Sequence, residues 1–261
     1  MFKQEPNLKI SILTCTLNSV NYIQRNINSV KNQSYKNLEH ILIDGYSQDG
    51  TYEKLLSSAK KDNRMKVYKF PARGVSDAFN KGISRCSGDY ILFLNSDDYL
   101  YGKNVILSVV KFLNRNKDLD WIYGKINVVE IDGKRVGVFP KRKIFQIGSR
   151  TLLKYKNYIP HQAVFIKKEV FQKYGPFDES LKINMDTEYW LRVSNVTKWS
   201  FFDKIISNYT LRGDSLSTSK KLRGQNLKYL EMAQSKHLGL IERNLAKIAN
   251  RIIETFNKMY R

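Results

Sequence analysis

A chain of 261 residues, 42% hydrophobic and 12% aromatic, can bury the core of one α/β domain of ~200 residues with an appendage, and these fractions exclude a disordered polymer. Lys and Arg outnumber Asp and Glu by 45 to 24, a formal +21 that draws the molecule toward polyanions, nucleic acid or an anionic lipid surface, without choosing between them. Two cysteines, Cys15 and Cys86, exclude a disulfide framework and have no zinc-site spacing. No run approaches the ~18 apolar residues of a membrane span, and residues 1–6 lack the apolar core of a signal peptide, so the expected compartment is the cytosol.

The first half alternates strand-like and helix-like segments, the pattern of βαβ units. Residues 9–16 read as a first strand, and Asn18-Ser19 predicts the cap of a helix running to about Gln33. Residues 38–44 form a second predicted strand that stops at Gly45, with a helix from Thr51 through Ala59 after it. A third strand at 65–69, a helix at 76–84 and a fourth strand at 90–94 follow. In a doubly wound sheet the carboxyl ends of such strands gather ligands, so residues 1–98 read as a nucleotide-binding half.

The fourth strand ends in Asn95-Ser96-Asp97-Asp98. Hard oxygen ligands at a strand end suit Mg²⁺ or Mn²⁺ bridging a diphosphate, although Ser-Asp-Asp also reads as an ordinary turn and helix cap. Beyond Asp98 the pattern loosens. Residues 120–124 and 126–134 read as a strand pair with an Asp132-Gly133 turn, followed by a basic loop at 140–143, a strand at 162–166 and helices at 168–174 and 185–194. In the tail, Leu238, Ile241, Leu245, Ile248, Ile252, Phe256 and Met259 recur at helical spacing with Arg243, Lys247, Arg251, Lys258 and Arg261 on other faces. This is a basic amphipathic helix. Packing onto the catalytic domain, self-association as a homodimer and anchoring to an anionic membrane surface all stay open.

Three motifs in register carry a resemblance. Ile43-Asp44-Gly45-Tyr46-Ser47-Gln48-Asp49-Gly50-Thr51, Arg73-Gly74-Val75-Ser76-Asp77-Ala78-Phe79-Asn80-Lys81-Gly82-Ile83 and Gly88-Asp89-Tyr90 through Asp97-Asp98 are similar to motifs of the family-2 inverting glycosyltransferases of GT-A fold. The likeness continues through Pro160-His161-Gln162-Ala163, Tyr174-Gly175-Pro176-Phe177-Asp178-Glu179 and Asn184-Met185-Asp186-Thr187-Glu188-Tyr189-Trp190-Leu191-Arg192, about residues 8–218 in all. It is particularly similar to the branch that builds bacterial O-antigen and capsule repeat units.

The fold so implied is α/β: a GT-A domain over 1–218, whose Rossmann-like, mostly parallel sheet flanked by helices binds the nucleotide in 1–98 and the acceptor in 99–218, with a basic helical tail at 219–261. The implied reaction is a divalent-metal-dependent, inverting transfer from a nucleotide sugar, a UDP-sugar, to a polyprenyl-diphosphate-linked glycan at the inner face of the plasma membrane. A transferase of a non-sugar phosphate group on the same fold is an alternative. Nucleic-acid binding rests on charge alone, since the basic residues are dispersed and no zinc-finger, RRM or helix-turn-helix signature is present.

Carried over position by position, the resemblance assigns Asp44 to the uracil imide N–H and Thr14, Thr16 and Asn18 to the nucleoside pocket. It brings the helix of Asp77 and Lys81 toward the nucleotide and gives Asp97, with Asp98 beside it, to Mn²⁺ or Mg²⁺. Asn95 and Ser96 lie in that same donor-binding element. Asp186 matches the catalytic base, and Arg212 opens a segment through Ser217 that closes over the diphosphate. His161-Gln162 is a candidate to touch the acceptor or the phosphates, Glu188 to bind the acceptor and Trp190 to stack on a sugar face. Each has a plainer counterpart: an Asx-turn for Asp44, helix capping for Asp186, a surface ion pair for Asp77 and Lys81, and structural roles for His161, Glu188 and Trp190. Four departures stand out. Asn95 replaces the first acid of Asp-x-Asp, Tyr46 stands where a second glycine is usual, Phe70-Pro71-Ala72 replaces an acidic stretch, and Met185 replaces the acid that often precedes the base.

Overall fold

The computed structural model describes residues 7–141, 149–212 and 220–259, the last with side chains for 225–252. Four strands, β1 (Ile10–Thr16), β2 (Leu38–Asp44), β3 (Met65–Lys69) and β4 (Tyr90–Phe93), lie parallel in the order β3-β2-β1-β4. Helices α1 (Ile23–Lys31), α2 (Thr51–Ala59) and α3 (Val75–Arg85) connect them. β2 is buried along its whole length because helices cover both faces. Ile41 and Ile43 pack with Phe79 and Ile83 of α3, whereas Leu42 packs with Ile23 and Ile27 of α1 and Leu55 of α2. The register sets Thr16 beside Asp44 and Asp44 beside Lys69, which aligns the polar strand ends along one edge.

The first helix is shorter than its cap signal predicts. Asn18 is in a left-handed conformation (φ 49°), and residues 19–22 make a separate turn in which the amides of Tyr22 and Ile23 both donate to Ser19 O. Helix geometry begins only at Ile23.

The second half contains β5 (Tyr99–Leu100), α4 (Val105–Arg115), β6 (Trp121–Val129), β7 (Arg135–Phe139), α5 (Arg150–Leu153), a 3₁₀ turn at His161–Ala163, β8 (Val164–Lys167), α6 (Lys168–Tyr174), α7 (Met185–Ser194) and β9 (Trp199–Thr210). These strands continue the sheet as β4-β8-β6-β9-β5, with β7 on β6. β8 runs antiparallel to both β4 and β6, while β6 and β9 are parallel, so uniformly parallel pairing belongs to the first half alone. The strand pair predicted at 120–134 is one continuous strand. Gly124 lies inside it, where a Cβ would come within 2.6 Å of the Ile206 side chain, and the Asp132-Gly133 turn (Gly133 φ 92°) leads on to β7. The strand β9 and the helices α4 and α5 add to the elements predicted from sequence.

Two further helices, α8 (Lys220–Ser235) and α9 (Leu240–Met259), form a hairpin against α7 and α5. Its packed side is made by Ala233, Leu238, Ala246 and Asn250, the last donating to Gln234 at 2.8 Å. The apolar stripe of α9 faces outward: Ile241, Leu245, Ile248 and Ile252 are 49–76% exposed. Packing onto the catalytic domain is therefore done by the other face of this helix. Among the described residues no helix is long and apolar enough to cross a membrane. Arg142 and Lys143 of the basic loop lie outside the described residues.

Candidate active site

At the carboxyl ends of β1, β2 and β4 three loops are stitched together. Asp44 is fully buried; Oδ1 accepts from Thr16 Oγ1 (3.1 Å) and Ser47 Oγ (2.6 Å), and Oδ2 from Ser47 N (3.0 Å). It thus has the Asx-turn geometry and rigidifies the loop that follows β2. Asn18 N donates to Ser47 Oγ, and Asn18 Oδ1 accepts from Gln48 N, both at 2.9 Å. Ser96 Oγ meets Ser19 Oγ at 2.9 Å, which ties the β4 loop to the β1 loop. Thr14 differs from its expected place in the nucleoside pocket. It points into the interior between β2 and α1, with its hydroxyl 3.1 Å from His40 Nε2 and 3.4 Å from Asn26 Nδ2.

Tyr46 takes φ 65°, a conformation that glycine adopts without steric cost and that explains why glycine suits this position. Its ring is half exposed, 5.0 Å from the Lys69 ammonium. Asp77 and Lys81 form the predicted pair at 2.7 Å on α3. The same helix reaches the other half of the molecule through Asn80, whose Nδ2 donates to Phe177 O while its Oδ1 accepts from Phe177 N, both at 2.9 Å.

The two aspartates after β4 separate in role. Asp98 is fully buried and braced: Oδ1 accepts from Thr210 N (2.9 Å) and Oδ2 from Asn95 Nδ2 (3.1 Å), with Gln162 adding a side-chain contact. Burial, and secondarily the charge of Asp97, push its carboxyl well above the usual range. Both oxygens are engaged, which differs from the expectation of two adjacent metal ligands. Asp97 is partly buried and paired instead with the Arg212 guanidinium, 3.4 Å away and stacked 4.2 Å over the Tyr22 ring.

Among the described residues no three His, Cys, Asp or Glu side chains converge into a metal cage. Asp97, partly buried and paired with Arg212, is the carboxylate of this edge that fits Mg²⁺ or Mn²⁺, ions held through one or two carboxylates together with substrate phosphates and water. Residues 213–217 of the predicted closing segment lie outside the described residues.

Across from this edge stands Asp186, on the first turn of α7. Thr187 N donates to its Oδ1 at 2.8 Å and Asn157 Nδ2 to its Oδ2 at 3.3 Å; Asn157 also donates to Thr187 Oγ1 at 2.9 Å. His161 links the two sides. Its Nε2 lies 3.2 Å from Asn95 Oδ1, and Asp186 acts on it electrostatically. Burial holds the imidazole below its ordinary range against the opposing pull of Asp186, which keeps the ring neutral. His161 also packs edge-on against Phe79 at 5.7 Å. Two hollows of about 430 and 710 Å³ open elsewhere on the surface, lined by none of these side chains.

The model of the family described as "Glycosyl transferase family 2" matches residues 11–175, from β1 to just past α6. The chain belongs to glycosyl transferase family 2. An uncharacterised glycosyltransferase of Mycobacterium tuberculosis is 32% identical over 190 residues, 72% of this chain and 69% of that one. Among solved structures, S. aureus TarS 1-349 in complex with UDP-GlcNAc has a TM-score of 0.72 at 19% identity, covering 92% of this chain and 70% of that one. Mannosyltransferase PcManGT from Pyrobaculum calidifontis, in complex with GDP-Man and Mn²⁺, has a TM-score of 0.71 at 13% identity, covering 93% and 69%.

This family-2 glycosyltransferase has the GT-A fold. Its stitched β1, β2 and β4 loops, Asp97 and His161 lie inside the matched region, and Asp186 lies beyond it. Asn157 and Asn80 carry no role in the sequence reading, and Gln162, a candidate acceptor or phosphate contact there, braces Asp98 instead. An Asn two residues ahead of an apolar Ile-Pro step carries no local sign of contact with a helix 30 positions later.

Proposed function

We propose that this family-2 glycosyltransferase is an inverting, divalent-metal-dependent enzyme that moves a sugar from a nucleotide sugar, a UDP-sugar, to a lipid-linked glycan acceptor. The observation that carries this reading is that His161 joins the two halves of the chain: its Nε2 meets Asn95, in the β4 loop that carries Asp97, and it feels the Asp186 carboxylate from the other half. Inversion by direct displacement requires one base facing the leaving group, and Asp186 supplies it. Asn157 and the Thr187 amide each hold one of its oxygens, which fixes the carboxylate's direction while leaving it able to accept the acceptor hydroxyl's proton.

Asp97 is the residue that would hold a divalent cation, which would supply Lewis-acid chemistry toward a diphosphate. Arg212 already contacts Asp97 and offers the diphosphate a planar, multi-donor clamp. The nucleotide sugars and the Mn²⁺ held by the two structural neighbours support the donor class and the metal.

The test is a screen of UDP- and GDP-sugars for nucleotide release with Mn²⁺, Mg²⁺ and EDTA, followed by NMR of the product's anomeric configuration. Retained configuration, or full rates in EDTA, would overturn the reading.

The exposed stripe of α9 supports an anionic membrane as the place where the acceptor is met, as in assembly of a bacterial surface polysaccharide. Ile241, Leu245, Ile248 and Ile252 share one arc, and Lys247 and Arg251 border it; each near-surface cation contributes about 1 kcal/mol. Flotation on phosphatidylglycerol vesicles compares wild type with the quadruple Ser variant of those four residues. A severalfold loss of recovery is expected. Equal recovery removes the membrane role, and a shift from dimer to monomer on sizing assigns the stripe to self-association.

A further inference from the structure

We infer that the α8–α9 hairpin is part of the catalytic machinery, with His237 and Asn226 acting as positioning residues for the helix that carries Asp186. The inference rests on the proposed role of Asp186.

Three observations bear on it. First, α7 begins at Asn184 in a left-handed conformation (φ 60°), and the Asn184 side chain does not cap its own helix. Its Nδ2 instead donates to Asn226 of α8, to Oδ1 at 2.7 Å and to O at 3.2 Å. Asparagine adopts this region more readily than other non-glycine residues, and the bond to α8 fixes its side chain there. Second, Glu188, two residues past Asp186, is 2% exposed. It is held by Arg192 of its own helix (Nε to Oε1, 3.0 Å) and by His237 Nε2 at 2.6 Å, from the turn between α8 and α9. A buried carboxylate must be paired, and part of this pairing comes from the tail.

Third, the hairpin grips the segment that presents Asn157. Gln234 Nε2 donates to Lys154 O at 3.0 Å, and Lys154 pairs with Glu242 at 2.7 Å. Both supports of the Asp186 carboxylate, α7 and the strand of chain at 154–157, are therefore clamped from one side by the same hairpin. Lys236 adds an ion pair to Asp178, ahead of α7. The matched family region ends at Gly175, so neither α7 nor the hairpin lies within it.

The test uses the 261-residue chain with His237→Ala, Asn226→Ala, the conservative His237→Gln, and Lys228→Ala as an exposed control on α8. Hydrogen exchange followed by mass spectrometry reads the latch without any substrate. Exchange over residues 184–190 should rise about tenfold or more in His237→Ala and Asn226→Ala, stay near wild type in Lys228→Ala, and be partly restored in His237→Gln, with β1–β4 unchanged in all. On whichever UDP-sugar the wild type turns over, kcat should fall about tenfold in both Ala variants while the donor KM holds. Unchanged exchange at 184–190, or an equal rise across β1–β4, overturns the inference. Loosened exchange at 184–190 with unchanged kcat overturns the catalytic part. A wild type inactive on every nucleotide sugar sinks the proposed function instead, while exchange still reads the latch.

Discussion

The edge proposed to bind the donor and the side proposed to meet the acceptor are built on different principles in this glycosyltransferase. At the donor edge, β1 to β4 are parallel, the chain visits its loops in order, and the Asp44 carboxylate is held by residues of β1 and of the loop just after β2. On the acceptor side, Asp186 is held by Asn157, faces His161 and rides on a helix clamped by Asn226 and His237. The first site is a property of strand ends, which any chain with that alternation acquires. The second exists only once distant segments have packed.

The comparison breaks most sharply at the two acids. Asp186→Asn and Asp97→Ala should each lower transfer by ~10²-fold or more, with UDP affinity nearly kept in the first and metal-dependent binding weakened in the second. Steady-state kinetics with calorimetric UDP titration separates the two. A near-normal rate for Asp186→Asn would send the search for the base elsewhere.

Next in size is Glu39, a buried acid at the opposite ends of the same strands. Burial raises its carboxyl, but the Ser87 amide, Ser11, Lys66 and the Ser87 hydroxyl outweigh burial and bring it to about 2. Because the folded value lies below the unfolded one, near 4.5, the stabilisation of about 2–3 kcal/mol is complete above pH 4.5 and disappears as pH falls toward 2. Glu39→Gln should flatten the pH dependence of urea stability between pH 4.5 and 2. An unchanged slope would show that other acids govern it.

Asp44→Ala leaves Ser47 N and Thr16 Oγ1 without their buried acceptor and should cost about 1–3 kcal/mol of stability. Because it unpins the donor loop, it should weaken UDP binding more than it lowers kcat. Equal loss in both would make Asp44 part of the chemical step. The smallest expected effect is at Tyr46, whose left-handed backbone glycine adopts freely. Tyr46→Gly should be neutral or stabilising by up to about 1 kcal/mol, read as Tm.

Much of the donor edge was legible in the residues. Parallel strands covered on both faces read as short apolar runs, and Asp44, Ser96 and Asp97 fall at their ends because side-chain period and turn chemistry are local. The acceptor side was less so. The stripe of α4 at Val105, Ile106, Val109, Val110 and Leu113 is present in the sequence, but β9 is interrupted by Asp203-Lys204 and has no clean alternation to mark it.

The two acids at 97 and 98 look equivalent in sequence; only Thr210 and Asn95, reached through β9 and the β4 turn, send one inward, and the other pairs with Arg212. Likewise, helical spacing in the tail determines an amphipathic α9 but not which face packs. The small and polar residues Ala246 and Asn250 meet Gln234 and the domain, and the larger apolar side chains stay outside. Composition and local periodicity thus settled the class of fold, the strand ends and the helix of the base, since each depends on neighbours a few residues away. Which of the two acids is fully buried, what holds Asp186 and where the tail docks were decided by tertiary packing, because those contacts join residues 29 to 112 positions apart.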